Sequence, residues 1–100
     1  MDRNVKEDIQ MEFIHEGKAF RHYNVAGEMD AEITYASKGE GVIEANHTFV
    51  DSSIRRQGVG RQLVDKLADF ARGENLKIHP TCPYVVALFE KSTEYDDVKI

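Results

Sequence analysis

The chain has 100 residues, of which 41% are apolar and 31% charged, and this composition predicts one globular domain over residues 1–100. No run approaches the ~18 consecutive apolar residues that a membrane span needs, so a membrane partner is not expected. The net charge of -5 disfavours nucleic acid as a partner, because an acidic surface repels a polyanion.

The cellular compartment is inferred from the start of the chain and from its cysteine content. Residues 1–8 are mostly charged and lack the apolar core of a signal peptide. Cys82 has no second cysteine in the chain to pair with, which fits a reducing environment. We therefore expect a cytoplasmic protein, and we expect it to be a monomer.

The first half of the chain has the patterns of β-strands. Four segments are predicted as an antiparallel meander: Met11–His15, Ala19–Val25, Met29–Tyr35 and Val42–Val50. Gly17 lies in a plausible hairpin turn between the first two segments. In the last segment the two-residue period places one set of side chains on a common face: Ile43, Ala45, His47 and Phe49.

The second half changes to a helical period, with apolar residues at Val59, Leu63, Leu67 and Phe70. Gly73 is expected to cap this helix at its C-terminus. Leu76–His79 is predicted to be a strand, and Pro83 is predicted to be the first residue of a helix that ends at Lys91. Ser92–Ile100 is mostly polar and is expected to add little to the core.

These elements predict a mixed α/β (α+β) fold, in which an antiparallel meander is followed by a helix, a strand and a helix. The first of these helices lies between two strands, and such a connection is almost always right-handed. It sets the last strand beside an earlier one in the sheet.

The segment from Arg55 to Arg61 has the composition of an anion-binding turn that opens a helix. Arg55, Arg56 and Arg61 supply charge and paired donors for phosphate oxygens. Gly58 and Gly60 let a phosphate approach the unpaired backbone N–H groups of a helix N-terminus. The chain contains neither G-x-x-x-x-G-K-[ST] nor G-x-G-x-x-G, which disfavours a P-loop and a dinucleotide fold.

This loop resembles the pyrophosphate loop of the GNAT superfamily of N-acetyltransferases, R/Q-x-x-G-x-G/A, in the run Arg55-Arg56-Gln57-Gly58-Val59-Gly60. The runs His47-Thr48-Phe49-Val50 and Cys82-Pro83-Tyr84-Val85 are similar to those of a short, single-domain YjdJ-like subgroup of it. The resemblance covers roughly Phe20–Lys91 and implies a compact GNAT-like acyl-CoA N-acyltransferase fold with acetyl-CoA (coenzyme A) as cofactor.

The resemblance also implies where acetyl-CoA would bind. It would lie in a V-shaped opening between the strand that ends near Val50 and the strand Leu76–His79. The cofactor-binding residues would be Phe49, Val50, Arg55, Arg56, Gln57, Gly58, Val59, Gly60 and Arg61. The chain leaves no room for the two helices that build the acceptor pocket in larger members. The acceptor site is therefore expected to be open, which favours a large or peptide-like amine.

Three residues are candidates for catalysis: Cys82, His47 and Tyr84. Cys82 could be a thiol activated at a helix N-terminus or a small buried apolar residue. His47 could be a general base or a core histidine, and Tyr84 could protonate the departing thiolate or serve as a core aromatic. His15, His22 and His79 lack metal-like spacing with Cys82, so no metal site is predicted.

Two functions therefore remain at this level. The first is an acetyltransferase that acts on an amine, with direct transfer or with an acetyl group carried on Cys82. The second is a non-catalytic CoA-binding module whose open acceptor side serves a protein partner.

Overall fold

The computed structural model describes residues 10–100, which form a five-stranded sheet with two α-helices. The strands are β1 (Ile14–Glu16), β2 (Ala19–Tyr23), β3 (Met29–Gly39), β4 (Val42–Val50) and β5 (Lys77–Pro80). The helices are α1 (Val59–Glu74) and α2 (Pro83–Lys91). The N-terminal segment from which the absence of a signal peptide was inferred lies outside the described residues.

The sheet confirms the predicted meander and crossover. Its strands lie in chain order, β1 to β4 are antiparallel, and β5 is parallel to β4. The connection from β4 to β5 runs through α1, as a parallel pair requires. Gly17 has a φ of 60° in the two-residue turn between β1 and β2, where a side chain would be strained.

One apolar face of α1 covers the sheet and contributes a large part of the core. Its buried residues recur at helical spacing: Val59, Leu63, Val64, Leu67, Ala68 and Ala71. They pack with Phe20, Ile33 and Ile78 of the sheet and with Val85, Leu88 and Phe89 of α2. No helix within residues 10–100 is long and apolar enough to cross a membrane.

The end of α1 differs from the prediction, and the capping role given to Gly73 is wrong. The helix continues through Gly73 to Glu74, and Asn75 adopts the left-handed conformation at φ 60°. Asparagine tolerates this conformation better than most residues with a side chain. The N–H of Leu76 then donates to the carbonyl of Ala71 (2.8 Å), which satisfies one of the last helix carbonyls.

The segment after α2 also differs from the prediction, because it contributes to the core. Tyr95 and Val98 are almost fully buried, and the Tyr95 ring stacks on Phe89 with centroids 5.0 Å apart. The N–H of Ile78 donates to Val98 (2.7 Å), and the N–H of Ile100 donates to Ile78 (3.1 Å). The tail therefore pairs with the free edge of β5. The polar composition of the tail did not indicate this contribution, because only two of its side chains, Tyr95 and Val98, are buried.

A β-bulge in β4 overturns the expectation that His47 shares a face with Ile43 and Ala45. Ala45 pairs with Tyr35 but His47 pairs with Thr34, so Asn46 is an extra residue in β4. The extra residue reverses the alternation. His47 is therefore exposed on the face of the sheet away from the core, and Thr48 is turned toward the core side.

Candidate functional site

A cavity of about 460 Å³ lies between the end of β4 and the start of α1. It is lined by Thr48, Phe49, Val50, Arg55, Arg56, Gly58, Val59, Gly60 and Tyr84. The pairing of β4 with β5 ends at Ala45 and Pro80, whereas β4 continues to Val50. The two strands therefore separate beside this cavity, and β4 continues beyond the end of its pairing with β5.

The loop before α1 brings backbone N–H groups to the cavity. Gly58 is the N-cap of α1 with a φ of 77°, and it supplies no side-chain acceptor to the first turn. Arg56 is also left-handed, at φ 66°, a conformation that is costly for a residue with a Cβ. A strained, glycine-capped helix start leaves its N–H groups available to an anion.

The charge of the cavity is opposite to that of the whole protein. Arg55 and Arg56 are the charged residues among those that line it, and no carboxylate lines it. Arg55 is anchored because its Nε donates to the carbonyl of Val50 (3.0 Å). The Arg56 side chain has no hydrogen-bond or ion-pair partner within residues 10–100. A local site with two guanidinium groups suits a phosphate-bearing ligand.

Cys82 lies at the N-cap of α2, with Pro83 as the first helical residue as predicted. Its Sγ is 3.5 Å from the hydroxyl of Thr48, a residue that lines the cavity. Burial raises the pKa of the Cys82 thiol. The Thr48 hydroxyl and the backbone groups of Val85, Tyr84 and Thr48 stabilise the thiolate more strongly, so the pKa lies below its usual value.

Tyr84 reaches the cavity from the first turn of α2. An added Cβ on Gly60 would lie 3.0 Å from the Tyr84 hydroxyl oxygen, so Gly60 provides the space that this ring occupies. Burial, together with the Asp65 charge, raises the pKa of Tyr84 despite the opposing effect of Arg61. The hydroxyl is therefore protonated at neutral pH and able to donate a proton.

Cys82 itself does not line the cavity, and three further candidates also lie outside it. Gln57 is exposed in the loop but does not line it. The Arg61 guanidinium turns to the tail, where Nη2 donates to Glu94 (2.5 Å) and the group lies 5.8 Å from the Tyr95 ring centroid. His47 lies on the opposite face of the sheet, with Nε2 3.3 Å from a carboxylate oxygen of Glu32.

The sequence did not identify two residues that contact the candidate catalytic side chains. Thr48 appears in the run that carries the family resemblance, but its contact with Cys82 depends on the bulge in β4. Glu32 lies in the strand predicted at Met29–Tyr35, and its contact with His47 depends on the register between β3 and β4. Neither contact has a signal in the linear sequence.

Comparisons with known proteins identify the family of the chain. The model of the GCN5-related N-acetyl-transferase family matches residues 20–98. Protein NATD1 of Gallus gallus and of Homo sapiens are each 33% identical to the chain over 55 residues, which is 55% of this chain and 50% and 49% of theirs. The chain thus spans about half the length of these curated relatives.

Solved structures support the fold. The solution structure of a GCN5-like protein from Staphylococcus aureus is 31% identical, with a TM-score of 0.77 over 90% of this chain and 88% of that one. An acetyltransferase from Bacillus cereus is 19% identical, with a TM-score of 0.54 over 76% and 51% of the two chains, and shows the fold alone. With the family model matching residues 20–98, the chain belongs to the GCN5-related N-acetyltransferase family.

Proposed function

We propose that the protein is an acetyl-CoA-dependent N-acetyltransferase that transfers an acetyl group to an amine, with a protein or peptide as the acceptor. The observation that carries the proposal is the cationic cavity between β4 and α1, in which two arginines and a glycine-capped helix start meet the separated end of a strand. The protein is further proposed to act as a monomer in the cytoplasm, where the free thiol of Cys82 suits a reducing compartment.

In the proposed complex, acetyl-CoA lies in this cavity with its pyrophosphate at the start of α1. The backbone N–H groups of Gln57–Gly60 bind the pyrophosphate, and the guanidinium groups of Arg55 and Arg56 neutralise its charge. The pantetheine arm pairs with the backbone of β4 around Phe49 and Val50, beyond the end of its pairing with β5. This orientation directs the thioester toward the end of the cavity where Thr48 contacts Cys82.

Transfer then needs an amine nucleophile, an oxyanion donor and a proton for the leaving sulfur. In the direct route the neutral amine attacks the thioester carbonyl, and a backbone N–H near Phe49 or Val50 stabilises the oxyanion. Tyr84, protonated at neutral pH, gives a proton to the departing thiolate. In the covalent route the Cys82 thiolate attacks the thioester and CoA leaves as its thiol, and the amine then attacks the Cys82 thioester and releases the Cys82 thiol. We favour a role for Cys82 that supports transfer without being an obligate nucleophile.

One observation favours the alternative of a non-catalytic CoA-binding module. The side chains that line the cavity include no carboxylate or histidine, so no general base lies within it. His47 could supply a base from the opposite face, but it does not contact the cavity. In the module the open acceptor side would bind a protein partner instead of an amine.

The test follows acetylation and turnover separately. Intact mass is measured after exposure to acetyl-CoA across a range of pH, and CoA release is measured with amines, polyamines and lysine peptides. We expect amine-dependent CoA release by the native protein and a modest rate loss in Cys82→Ala. Any Cys82 adduct should form at a lower pH than for an ordinary thiol, because the Cys82 pKa is lowered.

The outcomes separate the routes and the alternative. An adduct that amine removes, together with complete inactivity of Cys82→Ala, would establish the covalent route. Tight CoA binding without amine-dependent release would instead identify the binding module, and a protein that neither binds nor releases CoA would overturn both functions.

A further inference from the structure

The bulge in β4 changes which side chains lie on each face of the sheet, at the place where β4 separates from β5. The carbonyl of Ala45 accepts hydrogen bonds from the N–H groups of Thr81 and Cys82, each at 3.0 Å. Thr48 then contacts Cys82 on the core side, and His47 lies on the other face. Adjacent side chains of one strand thus lie on either side of the same gap.

His47 has a defined carboxylate partner on this second face. Its side chain is half-exposed, and its Nε2 lies 3.3 Å from Oε2 of Glu32, whose own side chain is only 14% exposed. The other oxygen of Glu32 accepts a 2.8 Å hydrogen bond from Nε of Arg21. Glu32 is therefore held from the β2 side, with its second oxygen beside His47. A carboxylate at Nε2 favours the tautomer protonated there, which leaves Nδ1 free to accept a proton.

The other charged and polar groups around His47 are committed to partners of their own. Glu16 accepts hydrogen bonds from Arg21 and from the Tyr23 hydroxyl. On β4, the carboxylate of Glu44 accepts a 2.7 Å hydrogen bond from the Thr81 hydroxyl. Beside His47, the Thr34 hydroxyl donates to the Asn46 side-chain oxygen (2.6 Å). Within residues 10–100, Glu32 is the carboxylate that forms an ion-pair contact with His47.

We propose that Glu32 is a positioning residue for His47, and that the pair prepares the amine acceptor from the face of the sheet opposite Cys82. This inference rests on the proposed acetyltransferase function. The acceptor arrives as an ammonium, and Nδ1 of His47 takes one of its protons. The resulting imidazolium is stabilised by the Glu32 carboxylate.

The step balances without any further reactant. The neutral amine nitrogen forms a bond to the acetyl carbonyl carbon, and the C–S bond of the thioester breaks. Tyr84 gives its proton to the departing thiolate, and the second proton of the amine nitrogen restores the Tyr84 hydroxyl. The products are an acetylated amine and a free thiol, and His47 later returns its proton to solvent.

The experiment compares two nucleophiles that differ in their need for a base. Nα-acetyl-lysine amide is an ammonium at neutral pH, with a pKa of about 10.4, and must lose a proton before it attacks. Hydroxylamine is already neutral at that pH. We expect His47→Gln to slow CoA release with the lysine amide about 100-fold, and Glu32→Gln to slow it about fivefold. Both variants should react with hydroxylamine within about twofold of the native rate.

Two further measurements make the result specific. Glu32→Gln should move the acidic limb of the lysine-amide pH–rate profile, which a merely structural role would not do. Glu40→Gln makes the same charge change in the exposed turn between β3 and β4 and should have no effect. Equal losses with both nucleophiles, unchanged lysine-amide rates in both variants, or no native rate with the lysine amide would each overturn the proposal. Acetyl-CoA binding, measured by calorimetry, tests the proposed function independently.

Discussion

At the scale of single residues, the loop before α1 uses two left-handed positions for different reasons. Gly58 adopts φ 77° without a steric cost, and its missing side chain leaves the cavity open. Arg56 adopts φ 66° at a cost of about 1–2 kcal/mol, which the fold must offset elsewhere. This conformation places Arg56, whose side chain has no partner within residues 10–100, in the lining of the cavity, where its guanidinium would bind a phosphate.

Substitution of Gly58 separates backbone strain from charge. Gly58→Glu adds a side chain and a negative charge where we expect the pyrophosphate, whereas Gly58→Asn tolerates the left-handed conformation and adds no charge. Both variants should fold, and Glu should weaken acetyl-CoA binding at least tenfold more than Asn. Isothermal titration calorimetry measures the difference, and equal affinities in the two variants would place the phosphate elsewhere.

At the scale of elements, α1 connects the cavity to the tail of the chain. Near its start, Arg61 binds Glu94, and the Tyr95 hydroxyl donates to Asp65. Near its end, Arg72 makes a two-point contact with Asp97, at 2.7 and 3.0 Å. The ion pairs are exposed and stabilise the fold little. The buried side chains of Tyr95 and Val98 therefore contribute more than these ion pairs to holding the tail on the fold.

The difference in burial predicts different losses of stability when two residues of the tail are substituted. Tyr95→Ala removes a fully buried ring and should lower the free energy of unfolding by about 3 kcal/mol or more. Ile100→Ala changes a side chain that is 65% exposed and should stay within about 0.5 kcal/mol of the native value. Urea denaturation of both variants measures these changes. Similarly small losses of unfolding free energy in the two variants would show that the tail docks through its backbone alone.

At the scale of the whole molecule, a net charge of -5 opposes the binding of any anionic ligand. The cavity between β4 and α1 offsets this repulsion with local positive charge. Two arginines and the start of α1 concentrate positive potential at one end of the sheet. A ligand that binds this site should raise the free energy of unfolding, because a ligand that binds only the folded state shifts the unfolding equilibrium toward that state.

Acetyl-CoA at ~100 times its dissociation constant should stabilise the fold by about 2.7 kcal/mol. For a domain of this size that corresponds to a rise in melting temperature of roughly 10 °C or more. NAD and ATP at the same concentration should produce much smaller shifts. Differential scanning fluorimetry with the three ligands is the measurement, and an unchanged melting curve at saturating acetyl-CoA would refute cofactor binding.

The sequence by itself determined the order of strands and helices, and it predicted an anion-binding segment at the start of α1. These features are local: the two-residue and helical periods of the apolar residues, Pro83 at a helix start, and glycines and arginines adjacent in the chain. They arise from backbone sterics and side-chain chemistry within a few residues of each other, so the linear pattern was sufficient to predict them.

The tertiary structure decided which side chains share a face. One extra residue in β4, Asn46, turned His47 away from the core and brought Thr48 to Cys82. The contact between Glu32 and His47 depends on the register of two strands, and the burial of Tyr95 depends on packing against α1 and α2. A bulge and a packing contact are set by the energy of the whole sheet and core, which no short stretch of sequence encodes.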